Sequence, residues 1–190
     1  MPLNIPNLLT WFRILMIPLI VAVFYFPPRW LTPHEVNLAA TLIFGVAAAT
    51  DWLDGYLARV LNQTSAFGAF LDPVADKLMV AAALIVLVEL GRVGAVIALV
   101  IIGREIAISA LREWMATIGA GRSVAVSFLG KVKTAAQMVA ILLLLYHEKV
   151  SPEFDAQAVG TWLIYVAAVL TLWSMAYYLK MALPQVLKRV

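Results

Sequence analysis

Residues 36–90 read VNLAATLIFGVAAATDWLDGYLARVLNQTSAFGAFLDPVADKLMVAAALIVLVEL, two apolar runs meeting at a polar turn. Four aspartates, Asp51, Asp54, Asp72 and Asp76, fall inside one 26-residue stretch around that turn. The runs, near 36–60 and 71–90, have the length of roughly 20 residues that a helix needs to cross a hydrocarbon core of about 30 Å. Carboxylates attached to such helices are costly unless they serve a site. Outward from this stretch, further apolar runs lie near 8–26, 93–115, 127–146 and 157–182. The chain therefore reads as an all-α integral membrane protein of six transmembrane helices, one polytopic domain over 1–190.

Composition points the same way. The chain is 64% hydrophobic and 13% charged, where a soluble domain carries about 25% charged residues. Zero cysteine removes disulfides, thiolate catalysis and Cys-based metal sites. His34 and His147 stand far apart and outside any motif, which speaks against a His-centred triad or zinc site. The net charge of +3 offers no soluble basic surface on which to expect nucleic acid. The first run lacks a small-residue cleavage site and reads as a retained span rather than a signal peptide. Pro27-Pro28, the pair Gly91 and Gly94, and Gly119-Ala120-Gly121 mark connectors.

Six spans return both termini to one side. Arg29, Arg92 and Lys149 fall at one face. The other eleven Lys and Arg, including Arg59, Arg122, Lys180, Lys188 and Arg189, belong to the opposite half. The positive-inside rule then predicts cytoplasmic termini and aspartates at the cytoplasmic ends of the helices near 36–60 and 71–90.

On a helix, Asp51, Asp54, Gly55, Ala58 and Arg59 span an arc of about 140° and share one face. Asp72 and Asp76, four apart, share another, and Asp72 followed by Pro73 predicts an N-cap and first helical residue. A lone Asp-x-x-Asp is commonly a cap. Four acids converging from two neighbouring helices repel one another unless something positive sits among them. Hard divalent cations such as Mg²⁺ take oxygen ligands and bridge carboxylates to phosphates. Gly55 and Gly68 would let a bulky ligand approach the backbone.

Asp51-x2-Asp54-Gly55-x2-Ala58-Arg59-x8-Gly68-x3-Asp72-x3-Asp76 resembles the signature of the CDP-alcohol phosphatidyltransferases at every defined position. The resemblance implies a six-helix membrane enzyme in which an alcohol attacks the phosphate of a CDP-linked lipid and CMP leaves. It implies that Asp51, Asp54, Asp72 and Asp76 hold two ions, Mg²⁺ or Mn²⁺, and that Asp76 also acts as general base. Asn7, Asp54, Gly55, Ala58, Arg59 and Gly68 would bind the nucleotide and diphosphate.

The second substrate is read from cations inside the spans. Arg104 lies near mid-membrane, where a charge costs at least ~2.5 kcal/mol unless it meets water or an anion. Arg112 follows eight residues later, about 80° around the helix. Glu105 and Glu113 can partner these arginines. Lys131, Lys133, Thr134 and Gln137 add more polar demand than two glutamates settle, and an anionic acceptor fits. Lys131 and Lys133 point about 200° apart, so one faces the cavity, and sequence does not choose between them.

Asn4, Asn7, Thr10 and Arg13 at the start, Arg104-Glu105 with Arg112-Glu113-Trp114, and Gly130-Lys131-Val132-Lys133-Thr134 with Gln137 are similar to bacterial members of that family that use sn-glycerol 3-phosphate. The resemblance then implies CDP-diacylglycerol as donor, CMP as product, and Thr10, Arg13, Arg104, Arg112, Lys131 and Lys133 around the acceptor phosphate. It also implies a homodimer in the bacterial inner membrane, among membrane lipids. The competing expectations are a family member using inositol phosphate, a membrane prenyltransferase, and a divalent-cation transporter. Prenyltransferase chemistry explains the acids but not the Gly, Ala and Arg spacing. A transporter places its ligands at breaks in mid-span rather than near helix ends.

Overall fold

The computed structural model describes residues 5–61, 66–117 and 128–187. Its six helices are α1 (Ile5–Ala22), α2 (Pro33–Val60), α3 (Ala66–Glu89), α4 (Ala95–Thr117), α5 (Phe128–Tyr146) and α6 (Ala156–Leu187). A 3-10 turn, Val23–Tyr25, follows α1. Each apolar run of the sequence is thus one helix. Asn4, the Gly119-Ala120-Gly121 break, Arg122, Lys188 and Arg189 lie outside the described residues.

Helix ends follow local chemistry. Thr32 caps α2: its side chain accepts from the Glu35 N–H while the Glu35 carboxylate accepts from the Thr32 N–H, with Pro33 at the first helical position. At the end of α3, Arg92 N–H donates to Leu87 O at 2.8 Å and Gly91 N–H to Val88 O at 3.0 Å. That pattern needs a left-handed residue, and Gly91 supplies it with φ 68°.

The helices run alternately up and down, so the ends of α2 and α4 and the starts of α3 and α5 share one end of the bundle. α1 packs against both α2 and α3, α5 lies along α6, and α4 packs on α3 and α6. Phe44, Leu84, Leu87, Ile101, Ile141 and Leu144 fill the interior. Small residues set the spacing: a Cβ on Gly160 would stand 2.9 Å from Leu144 Cγ and 3.2 Å from the Leu144 backbone nitrogen. At the end away from the aspartates, Arg92 donates to Leu144 O and Leu145 O at 3.0 and 2.9 Å, and to Asn37 Oδ1 at 2.7 Å. It closes the carbonyl end of α5.

The outer surface is apolar as well. Leu8, Leu15, Val96, Leu99, Trp162 and Trp173 are all exposed, as lipid-facing side chains are in a bundle whose backbone groups are satisfied within helices. Segments in α1, α2 and α6 (Pro6–Tyr25, Pro33–Leu57 and Ala156–Leu183) are long and apolar enough to cross a membrane. α3 and α4 are interrupted by Asp72, Asp76 and Lys77, and by Arg104, Glu105, Arg112 and Glu113.

One local expectation is corrected. Asp72 is no N-cap and Pro73 is not a first helical residue, because α3 already starts at Ala66 and Pro73 lies inside it. The apolar segment before Asp72 extends the helix, and Phe67 stacks on Trp11 of α1 at 6.5 Å between centroids. This tertiary contact outweighs the local start signal. The missing proline N–H is tolerated inside a packed membrane helix. Gly68, Asp72 and Asp76 consequently succeed one another at four-residue steps along one helical face.

Candidate active site

A cavity of about 340 Å³ opens between α2, α3, α4 and α5. Its walls are polarised. Asp51 from α2 and Asp72 and Asp76 from α3 form one side, and Arg104 and Arg112 from α4 with Lys133 from α5 form the other. Lys77 and Glu105 also line it. Chain order explains the arrangement: α2 ends and α3 begins at the end of the bundle that gathers the aspartates, while α4 and α5 bring their cations to the same end.

The acidic wall is braced from behind by α1. Arg13 is fully buried. Its Nη2 donates to Asp54 Oδ2. Its Nη1 lies 2.7 Å from Asp51 Oδ1, an ion pair rather than an aligned hydrogen bond. Three residues earlier, Thr10 Oγ1 donates to Asp72 Oδ1 at 2.5 Å. One face of α1 therefore touches acids of both α2 and α3. Asn7, a turn further back, is also buried. Asp54 is buried too, so among the acids of the motif it stands deepest, while Asp51 remains 43% exposed.

The basic wall is held by α6. Arg104 Nη2 donates to Ser174 Oγ at 2.9 Å, and Arg112 Nη2 to Tyr178 Oη at 3.0 Å. The Tyr178 ring lies 5.8 Å from the Arg104 guanidinium carbon and 5.0 Å from that of Arg112, within cation–π range of both. Glu105 accepts from Lys133 Nζ and from Arg104 Nη1. The Nε groups of Arg104 and Arg112 are buried without a hydrogen-bond partner among the described residues. One carboxylate thus offsets part of three positive charges, and the remainder faces the cavity.

These contacts sort the residues read from sequence. Asp51, Asp72, Asp76, Arg104, Arg112 and Lys133 meet in one cavity, and the choice between the two helix-five lysines finds Lys133 buried and on its wall. The side chains of Lys131, Ala58 and Arg59 lie outside the described residues. Thr10 and Arg13 contact the acids, whereas the resemblance had them around the acceptor phosphate. Gly55 is exposed, and among the described residues no atom outside its own helix backbone lies within 4 Å of where its Cβ would be. The sequence reading missed Ser174 and Tyr178. Their four-residue spacing on an otherwise apolar helix is a faint signal that only the packing of α4 on α6 makes legible.

Fit to a divalent cation is good in chemistry and incomplete in spacing. The donors are hard carboxylate oxygens around one cavity, as Mg²⁺ or Mn²⁺ requires. Among the described residues, however, no three acids stand close enough together to hold an ion. Arg13 draws on Asp51 and Asp54, and Thr10 on Asp72.

Residues 3–173 match the family model described as CDP-alcohol phosphatidyltransferase. The chain is also 55% identical to a CDP-diacylglycerol–glycerol-3-phosphate 3-phosphatidyltransferase of Shigella flexneri serotype 5b (strain 8401), and 54% identical to one of Escherichia coli (strain K12). Each match covers 96% of both chains.

Proposed function

The chain belongs to the CDP-alcohol phosphatidyltransferase family, and on that premise we propose that it transfers the phosphatidyl group of CDP-diacylglycerol to sn-glycerol 3-phosphate, giving phosphatidylglycerophosphate and CMP. The observation that carries this reading is the polarised cavity, in which an acidic wall suited to a metal-bridged diphosphate faces a basic wall suited to a phosphate monoester. Full-length similarity to relatives named for this reaction supports the choice of acceptor.

Donor acyl chains stay among lipids while the diphosphate reaches the ends of α2 and α3. Open space beside Gly55 leaves room for the nucleotide to lie against the backbone. Asp51, Asp54, Asp72 and Asp76 would hold two divalent ions, which when bound supply charge neutralisation for the diphosphate and the transferring phosphoryl group. Arg104, Arg112 and Lys133 receive the acceptor phosphate, with guanidinium geometry suited to its oxygens. That phosphate sets the acceptor's free hydroxyl toward the acidic wall. Asp76 takes the proton from the 1-hydroxyl as its oxygen bonds to the phosphatidyl phosphorus; the bond from that phosphorus to the bridging oxygen breaks, and CMP leaves with that oxygen and the electron pair.

Eleven cations on the aspartate half against three on the other support a cytoplasmic site and cytoplasmic termini in a bacterial inner membrane. A homodimer is the assembly that family membership supports. The basic wall recognises a phosphate and leaves the alcohol open, so inositol phosphate is the competing acceptor. The deciding experiment offers purified protein CDP-diacylglycerol, Mg²⁺ and labelled acceptors one at a time, and follows CMP release. Product from glycerol 3-phosphate is expected. Product only from another acceptor would replace the reading, as would metal flux into liposomes without any CDP-lipid.

A further inference from the structure

Arg13 makes an unusual commitment for a cation beside the proposed ion site. It is fully buried, touches Asp51 and Asp54 together, and leaves its Nε without a hydrogen-bond partner among the described residues. A purely structural arginine in so dry a place would be expected to use its full fork of donors, because each buried unpaired donor is costly. Here the fork is spent on charge. Its two terminal nitrogens reach the two acids that stand three residues apart on α2, and Thr10 on the same face of α1 holds Asp72.

A carboxylate oxygen engaged by a guanidinium has lost directions from which it could ligate an ion, and two cations a few ångström apart repel. We infer that Arg13 is an internal counter-ion that competes with a divalent cation for Asp51 and Asp54, so that cation binding requires the guanidinium to withdraw from at least one of them. Arg13 is then a positioning residue rather than a ligand of the acceptor phosphate. Its charge keeps Asp51 and Asp54 together without metal, at the cost of weaker metal binding. The inference rests on the cation-binding part of the proposed function.

The test titrates the full-length protein in detergent with Mn²⁺ alone and follows the free ion by electron paramagnetic resonance. Wild type is compared with Arg13→Gln and Arg13→Lys. Arg13→Gln is expected to bind Mn²⁺ at least roughly tenfold more tightly, since one like charge is removed from the site. Arg13→Lys, whose single ammonium cannot span both acids, should fall between. Both variants should unfold at lower temperature without Mn²⁺ and gain more from its addition than wild type does. A merely structural arginine gives the opposite sign, because loosening the acids weakens Mn²⁺ binding. Unchanged or weaker binding in the variants, with wild type binding Mn²⁺, overturns this inference alone. Absence of Mn²⁺ binding in wild type and in both variants removes the cation site from the proposed function and this inference with it. Should Arg13→Gln not fold, Arg13→Lys decides by the same criterion.

Discussion

Tyr178 of α6 lies under Arg112 of α4, its ring 5.0 Å from the guanidinium carbon and its hydroxyl accepting from Nη2 at 3.0 Å. The same ring also neighbours Arg104. A residue without charge on the last helix therefore orients two cations of the basic wall. Tyr178→Phe keeps the ring and removes the hydroxyl. A hydrogen bond to a charged group is worth about 1.5 kcal/mol or more, so KM for glycerol 3-phosphate should rise roughly tenfold with kcat and donor KM nearly unchanged. Steady-state kinetics with each substrate varied in turn make the check. An equal loss in both KM values would mean that Tyr178 supports the bundle as a whole.

Asp76 lines the same cavity as Arg104, Arg112 and Lys133. If it takes the acceptor proton, Asp76→Asn should lower kcat by at least about 100-fold, the lower range for positioned general bases. Binding of CDP-diacylglycerol should remain measurable, since three other acids stay in place. Single-turnover CMP release beside equilibrium binding of the donor separates the two effects. Wild-type turnover in this variant would remove Asp76 as the base.

Much of this was legible from residue spacing, and the misses share a cause. The meeting of Asp51, Asp72 and Asp76 at one cavity was legible because helical periodicity puts them on defined faces of two consecutive helices. The Asp72-Pro73 start signal misled because Phe67 gains a partner, Trp11, that is distant in sequence. The contacts of Arg13 with Asp51 and Asp54 were invisible because sequence shows its charge and not its neighbours. Ser174 and Tyr178 were silent for a related reason: on an apolar helix they acquire a role only when α4 lies against α6.

Glycine offers a paired test of packing against chemistry. A Cβ on Gly160 would meet Leu144 at 2.9 Å and its backbone nitrogen at 3.2 Å, whereas one on Gly55 meets, among the described residues, nothing beyond its own helix backbone within 4 Å. Gly160→Ala should cost about 1–3 kcal/mol of stability, as overpacking does, and leave activity per folded molecule unchanged. Gly55→Ala should leave the unfolding temperature within about a degree, a surface-like change, and reduce turnover by narrowing the nucleotide approach. Thermal unfolding in detergent and activity normalised to folded protein test both. An inactive but stable Gly160→Ala would show that the α5–α6 contact reaches the site.

Arg92 tests whether the two ends of the bundle are energetically separate. Its guanidinium serves three acceptors at once, the carbonyls of Leu144 and Leu145 and the Asn37 side chain, and a lysine ammonium lacks the planar fork to reach all three. At least one acceptor at the end of α5 is then left unpaired, at about 1–3 kcal/mol for a buried group. Arg92→Lys should accordingly lower the unfolding temperature. The cavity lies at the opposite ends of the same helices, so kcat and both KM values should stay within about twofold of wild type for sites that share no partners. A KM shift for glycerol 3-phosphate at unchanged stability would mean that α5 transmits strain along its length to Lys133.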